Sequence, residues 1–212
     1  MKKVFKMFAL AAMFFGLTMT VACKDDPENN GDNDANAEPV LLDETFDTDL
    51  SAWTLIDADG DSFNWMSYQY GVEESLCAAS ASYDNPSRMV LEPDNYLVSA
   101  ELDIKAKDYT LTWYAAAQDG DYPADHYSVY AGTVADGVFT PVATLYEETL
   151  ASAAFEQRSV SLADLKGQKV CIAFRHHNCR DQFVMKIDNV KVAREGAKAP
   201  ATYPAVGGET KK

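Results

Sequence analysis

The fold of this chain is decided by residues 109–114, which read YTLTWY. Apolar side chains at the odd positions alternate with threonines at 110 and 112, and a period of two places the two sets on opposite faces of a β-strand. The same alternation recurs at residues 127–131 and 170–174. Strands of this kind bury one face on a core and predict antiparallel sheets.

The segments around these strands complete an all-β pattern. Residues 183–192, FVMKIDNVKV, form a run long enough to cross a sheet, and we expect a bulge near Asp188 and Asn189. Residues 145–155 come nearest to helical spacing, and we predict a loop or short helix there. About ten to twelve short strands without long helices predict an antiparallel β-sandwich of the jelly-roll type.

Composition excludes several classes of protein. The 212 residues include 18 Lys and Arg against 33 Asp and Glu, which gives a formal charge of −15. So acidic a surface repels nucleic-acid phosphates and anionic membranes and attracts cations such as Ca²⁺. The hydrophobic fraction of 47% is sufficient for a buried core. We therefore expect a folded domain that binds no nucleic acid.

The N-terminus has the features of an export signal. Three lysines precede an apolar run at residues 8–21, which is shorter than the roughly 20 residues of a membrane-spanning helix. The run ends in Thr-Val-Ala before Cys23, which resembles the lipobox of bacterial lipoproteins, where the cysteine carries the acyl chains. Residues 1–22 are thus predicted to be a lipoprotein signal peptide, and Cys23 to be the lipid anchor at the cell surface or outer membrane. The alternative is an ordinary secretory signal with a chance cysteine.

Polar segments flank the predicted domain. Residues 23–38 are rich in acids and asparagines and cannot bury enough apolar surface to offset the entropy of ordering. We expect an acidic tether there, a β-sandwich over residues 39–195, and a flexible tail over residues 196–212, which is rich in Gly, Ala and Pro.

Several segments, in order, resemble the cleaved-adhesin domain of gingipain haemagglutinin regions and of choice-of-anchor surface lipoproteins. They are DETF (43–46), WTLIDADGDSFNW (53–65), DNYLVS (94–99), DHYSVY (125–130), VCIAFRHHN (170–178) and IDNV (187–190). One departure is Ala100, where the family usually has proline. The resemblance implies a jelly-roll sandwich with structural Ca²⁺ that serves adhesion and has no catalytic centre.

Three acidic residues in one of these segments form a candidate calcium site. Asp57, Asp59 and Asp61 alternate across Gly60, which lets the backbone turn so that the carboxylates converge. A hard cation with 6–8 oxygen ligands would offset their repulsion. The spacing is not that of an EF-hand, and the alternative is a solvated Asp-Gly turn.

Two further acids are candidates for the same calcium site. Glu44 lies in the first strand and Asp188 near the last, and jelly rolls often place these strands side by side. Asp188 lies in an apolar run, so its carboxylate needs a partner. The alternative partners are backbone amides or Arg175.

The histidines and cysteines indicate no metal or catalytic site. His176 and His177 are adjacent and would point to opposite faces of a strand, so we expect hydrogen-bonded structural roles. Once Cys23 is assigned to lipid, three cysteines remain, at positions 77, 171 and 179. The sequence leaves open whether two of them pair or all are free.

Aromatic residues in strand-like and loop segments suggest a ligand surface. Tyr70, Tyr83 and Tyr122 are candidate contacts for a sugar or a protein partner, whereas the three tryptophans are expected in the core. Nucleophile-elbow, zinc-protease and phosphate-loop motifs are missing, so we expect no enzyme.

The sequence therefore predicts a surface-anchored, calcium-stabilised, non-catalytic module that adheres to a glycan or to a host or partner protein. One alternative is an accessory subunit of an outer-membrane glycan-uptake or surface-protein assembly. Another is a secreted hydrolase with a β-sandwich fold.

Overall fold

A computed structural model describes residues 37–194 and 202–212. The strands, in chain order, are β1 (Val40–Glu44), β2 (Thr54–Asp57), β3 (Met66–Gln69), β4 (Leu76–Ala81), β5 (Tyr83–Asp84), β6 (Met89–Val90), β7 (Asn95–Val98), β8 (Leu102–Asp103), β9 (Tyr109–Ala117), β10 (His126–Ala135), β11 (Val138–Thr149), β12 (Phe155–Ser161), β13 (Lys169–His176), β14 (Val184–Arg194) and β15 (Thr202–Tyr203). Short 3₁₀ turns lie at Val72–Glu74 and Ala163–Leu165.

The strands form two main antiparallel sheets and one small hairpin. The first sheet has the order β15-β12-β9-β14-β4-β3, and β1 pairs with β14 beyond the end of β4. The second has the order β11-β10-β13-β7-β2, and β8 pairs with β13. Strands β5 and β6 pair with each other. The predicted all-β, antiparallel jelly-roll sandwich is confirmed.

The core lies between the two sheets and follows the alternation in the sequence. In β9, the side chains of Tyr109, Leu111 and Trp113 are buried, whereas the threonines between them are partly exposed. The Trp113 ring packs against Phe174 of β13 with centroids 5.7 Å apart and planes at 69°. Its indole nitrogen donates to the hydroxyl of Tyr127 at 3.0 Å, so the polar group that comes with this large apolar ring is also satisfied.

The predicted bulge in the last long strand is present. Strand β14 pairs with β9 on both sides of an irregularity between Asp188 and Lys191, and Asn189 has a positive φ of 47°. The bulge separates the part of β14 that pairs with β4 from the part that pairs with β1. It therefore lies where the partner strand on that side changes.

The prediction for residues 145–155 was wrong in its first half. Residues 145–149 belong to β11, which lies at the edge of the second sheet and is mostly exposed or partly exposed. A register shift opposite Val129 and Tyr130 makes Leu145 an extra residue, so Leu145 and Tyr146 both pack against the core and the alternation is broken. Residues 150–154 form the connection to β12.

The ends of the domain differ from the predicted boundaries. Ala37 packs into the core and the carbonyl of Glu38 accepts a hydrogen bond from the Tyr109 hydroxyl, so contacts begin inside the predicted tether. At the other end, β15 pairs with β12, and Tyr203 packs against the Tyr114 ring at 5.3 Å. Residues 202–212, which belong to the predicted flexible tail, therefore contact the domain through backbone pairing and through single side chains.

The predicted signal peptide, Cys23 and the tether up to residue 36 lie outside the described residues, as do residues 195–201. In the part that the structure describes, none of the helices has the length and apolar character needed to cross a membrane.

Candidate functional site

The loop after β2 gathers three carboxylates. The turn at Gly60 has a φ of 75°, and the Gly60 amide donates to Oδ1 of Asp57 at 2.7 Å. Oxygen atoms of Asp57, Asp59 and Asp61 lie within 4.8 Å of one another. The predicted convergence of the three side chains through a glycine turn is therefore present.

The electrostatics of this loop reflect three acids at close range. A hydrogen bond with Asp59 lowers the pKa of Asp57, whereas burial and the same hydrogen bond raise the pKa of Asp59. The backbone amides of Gly60 and Ser62 donate to Asp57, and a cation between the carboxylates would offset the repulsion that remains. Three carboxylates supply the hard oxygen ligands that Ca²⁺ prefers, so the side chains present fit that ion.

Glu44 and Asp188 do not join this cluster. Strands β1 and β14 pair as predicted, but the Glu44 carboxylate accepts hydrogen bonds from the Phe46 amide at 2.8 Å and the Trp53 indole at 3.2 Å. Asp188 accepts from the amides of Val72 and Asn189, both at 2.7 Å. The prediction of one site for all five acids was wrong, because β2 and β14 lie in different sheets and each of these two carboxylates has its own donors.

Asp188 lies beside a second buried ionisable group. Burial raises the pKa of Asp188 to about 7 and lowers the pKa of Lys186 to about 8. The Lys186 ammonium donates to the Tyr70 carbonyl at 3.0 Å and lies 4.6 Å from the centroid of the Phe155 ring. Both groups therefore have a hydrogen-bond partner in the backbone at Tyr70 or Val72.

The three candidate tyrosines lie in different surroundings. Tyr122 is exposed and Tyr70 is partly exposed, whereas Tyr83 is buried in β5, and its hydroxyl donates to the Lys212 carbonyl at 2.9 Å. The Lys211 ammonium lies 4.6 Å from the Tyr83 ring centroid and 4.3 Å from that of Tyr122. Sequence placed Tyr83 in an exposed loop, but the C-terminal segment covers it.

Tyr70 lines an open depression of about 670 Å³ on the surface of the sandwich. The depression combines one aromatic ring with carboxylate, amide and hydroxyl groups, and the C-terminal segment forms one wall. Its lining residues are Asp47, Gln69, Tyr70, Glu74, Ser75, Leu76, Val206 and Gly207.

A buried cluster that the sequence did not predict joins Asp125, His176 and Cys179. Nε2 of His176 lies 3.1 Å from the Cys179 sulfur and 3.1 Å from Oδ1 of Asp125. Asp125 is about 50 residues away along the chain, and only the pairing of β10 with β13 brings it to His176. The one local signal in the sequence was that His176 and Cys179 lie three residues apart. A pattern of two residues is too short to predict a site.

The other histidines have the structural hydrogen bonds that were expected. His177 contacts the Ser128 hydroxyl at 2.9 Å, and burial lowers its pKa to about 4. His126 contacts the Thr149 hydroxyl at 2.9 Å. Cys77, Cys171 and Cys179 are free thiols.

Comparison with known proteins assigns the family. A sequence profile of the Cleaved Adhesin Domain matches residues 40–192. The chain belongs to the cleaved adhesin domain family. Hemagglutinin A of Porphyromonas gingivalis is 33% identical over 197 residues, which cover 82% of this chain and 7% of that protein. Lys-gingipain W83 of the same species is 33% identical over 187 residues, covering 77% of this chain and 10% of that protein.

A solved structure supports the same assignment. The K3 cleaved adhesin domain of Lys-gingipain from P. gingivalis W83 matches with a TM-score of 0.63 at 34% identity, covering 72% of this chain and 96% of that domain. The matched region thus corresponds to one cleaved adhesin domain, and the chain spans about a tenth or less of the length of the two relatives named above. The resemblance found from sequence segments is confirmed.

Two of the candidate sites lie inside the region that the family profile matches, and the wall of the Tyr70 depression lies outside it. The acidic loop at residues 57–61 and the buried cluster at Asp125, His176 and Cys179 lie within the matched cleaved adhesin domain. Residues 202–212, which wall the Tyr70 depression and cover Tyr83, lie beyond it.

Proposed function

We propose that this cleaved adhesin domain is a surface-anchored, non-catalytic module that adheres to a glycan or protein ligand. The observation that carries the proposal is the family match, which spans β1 to β14 and therefore the sandwich itself. The sandwich then serves as a rigid scaffold, and its surface depressions and loops meet the ligand.

The depression at Tyr70 is the ligand surface that we propose, and its groups favour a glycan. The Tyr70 ring offers an apolar face for a sugar ring, and Asp47, Gln69 and Glu74 offer hydrogen-bonding groups for hydroxyls. The nearby carboxylates disfavour acidic sugars, so neutral glycans are the expected class.

A glycan array with the full-length chain tests this surface. Tyr70→Ala is expected to weaken binding at least about fivefold, the effect of losing an aromatic anchor worth about 1 kcal/mol. Tyr122→Ala is the matched control, because it removes another accessible tyrosine outside the depression. A chain shortened to residue 204 removes the Val206 wall and should also bind less tightly.

Two results would argue against this ligand. Equal losses in the Tyr70 and Tyr122 variants would mean that the depression is not the site. Absence of glycan binding, together with co-purification of a neighbouring envelope protein, would favour the accessory-subunit function instead.

Lipid anchoring at Cys23 is part of the proposed function. Support comes from the basic and apolar segments before Cys23 and from the polar residues that follow it. In cells fed a labelled fatty acid, the wild-type chain should incorporate label and fractionate with membranes. Cys23→Ala should lose both properties, and retained labelling would contradict the proposal.

Calcium stabilisation is the remaining part of the proposed function. Support comes from the three carboxylates around Gly60, whose oxygens lie within 4.8 Å of one another, and from the charge of −15, which favours cation binding. Asp57, Asp59 and Asp61 would hold the ion and tie the end of β2 to the loop that follows it.

A further inference from the structure

Three different metal-binding atoms converge at one end of the sandwich. The Cys179 sulfur, Nε2 of His176 and Oδ1 of Asp125 form a triangle with sides of 3.1, 3.1 and 3.6 Å. His176 ends β13, Cys179 lies in the loop after it, and Asp125 directly precedes β10. The side chains of Asp125 and His176 are fully buried.

One oxygen of this cluster lacks a partner. Oδ1 of Asp125 accepts a hydrogen bond from the Ser82 hydroxyl at 2.6 Å, but Oδ2 is buried and has no hydrogen-bond partner within the described residues. Burial of an unpaired carboxylate oxygen is costly, and such atoms are rare in folded proteins. A cation bound by the Asp125 carboxylate would offset the cost of burying this oxygen.

The arrangement does not suit a cysteine nucleophile. A relay of nucleophile, base and acid needs the acid on the imidazole nitrogen that faces away from the nucleophile. Here both the Cys179 sulfur and the Asp125 carboxylate contact Nε2. Burial and the nearby Asp125 also raise the pKa of Cys179 to about 12, so the free thiol is a poor nucleophile at neutral pH.

The other nitrogen of His176 has the partner that a metal-binding imidazole needs. Nδ1 lies 2.8 Å from the Ser80 hydroxyl, which also accepts a hydrogen bond from the Asn95 amide at 3.3 Å. A hydroxyl oxygen can accept two hydrogen bonds, so the Ser80 oxygen can also accept one from the Nδ1–H group of His176. The Nε2 lone pair is then directed into the cluster. In that tautomer only the Cys179 thiol proton lies among the Nε2 lone pair, the sulfur and the carboxylate, and a cation in its place would contact all three.

We propose that Asp125, His176 and Cys179 form a binding site for a divalent transition metal ion of the zinc class. Thiolate and imidazole ligands select such ions over Ca²⁺. Bonds of about 2.0–2.3 Å in tetrahedral geometry separate the ligand atoms by about 3.4–3.6 Å, within a few tenths of an ångström of the distances observed.

Charge and access are consistent with this site. Binding releases the Cys179 thiol proton to solvent, and the thiolate and the carboxylate then cancel the two charges of the ion. Cys179 is partly exposed and lines an open depression of about 540 Å³, through which the ion can reach the cluster. The ion would fasten the loop after β13 to the segment before β10.

Cobalt substitution tests the proposal directly. The full-length chain, purified without a polyhistidine tag and held in excess CaCl₂ to occupy oxygen sites, is titrated with Co²⁺ and then with Zn²⁺. We expect a thiolate-to-cobalt charge-transfer band that saturates at one ion per chain and is abolished by Zn²⁺. Cys179→Ala should lose this band and weaken Zn²⁺ binding at least about 100-fold, more than the loss of an outer partner costs.

Matched variants separate this site from other thiols and histidines. Cys171→Ala and His177→Gln are the controls, because each changes the same residue type outside the cluster, and both should retain the band. Circular dichroism without metal establishes that each variant is folded. A band that persists in Cys179→Ala, or a wild-type chain that shows none, would overturn the proposal.

Discussion

Asp188 lies at the bulge of β14, and protein encloses its carboxylate. Its folded-state pKa of about 7 exceeds the ordinary value of 3.8 because burial penalises the charged form. The folded state therefore binds this proton more tightly than the unfolded chain. The resulting stabilisation is fully present below pH 3.8 and is lost as the pH rises to about 7.

The Asp188→Asn variant measures this contribution. Relative to the variant, the wild type should lose up to about 4 kcal/mol of unfolding free energy between pH 4 and pH 7.5, because each unit of pKa difference is worth about 1.4 kcal/mol. Urea denaturation with chelator present provides the measurement. The exposed Asp164→Asn variant is the control and should follow the wild-type profile. Parallel profiles for wild type and Asp188→Asn would contradict the assignment.

Single residues were predictable from sequence where the chemistry is local. Asp57, Asp59 and Asp61 were found because a glycine turn brings neighbouring acids together. Asp125 was not found, because it meets His176 only through the register of two strands that are distant in sequence. Alternation identifies strands but does not fix which residues of two strands lie opposite each other.

The hairpin of β10 and β11 depends on a glycine that lets the two strands approach closely. A Cβ atom at Gly132 would lie 2.4 Å from Cζ of Phe139 and 2.4 Å from the Thr140 carbonyl oxygen. The register between the strands also shifts beside Gly132, which lies opposite Pro141. Close packing at this point therefore requires a residue without a side chain.

Gly132→Ala is expected to destabilise the sandwich by about 1–3 kcal/mol, because the Phe139 ring and the backbone of β11 must move. Chemical denaturation measures the change. Gly120→Ala is the control, since its Cβ would lie 3.9 Å from the nearest atom, the Ala153 methyl group. Equal unfolding free energies of the two variants would show that β11 can shift with little loss of stability.

At the scale of elements, the sequence predicted the central strands and missed the marginal ones. Strands β9, β10 and β13 were evident because each covers the core with alternate residues. The end of β11 and the short β15 were not, because an edge strand has one neighbour and β15 pairs through only two residues. Their pairing depends on backbone groups, which composition does not reveal.

At the scale of the whole molecule, the formal charge of −15 means that repulsion among carboxylates opposes folding unless cations offset it. If Ca²⁺ binds the acidic loop only in the folded state, it stabilises the domain by mass action. With a Kd near 10⁻⁴–10⁻³ M, typical of extracellular calcium modules, 10 mM Ca²⁺ would add about 1.4–2.7 kcal/mol.

Thermal melts with 10 mM Ca²⁺ or with chelator test this expectation. The melting temperature of the wild type should rise by several degrees in Ca²⁺, and Asp59→Asn should remove most of the rise. Asp164→Asn, which lowers the charge equally outside the loop, should retain it. A rise of the same size in both variants would indicate general screening of charge, not a site.

The contact of Lys211 with Tyr83 and Tyr122 has a consequence for how this end of the domain meets other molecules. A cation tethered by its own backbone acts as an intramolecular competitor, present at a local concentration that a free partner seldom reaches. An incoming group must displace it, so the apparent affinity of those rings is lowered by the fraction of time they are occupied. While Lys211 occupies them, these two rings are poor contacts for a ligand, so Tyr122→Ala should leave glycan binding at the Tyr70 depression unchanged.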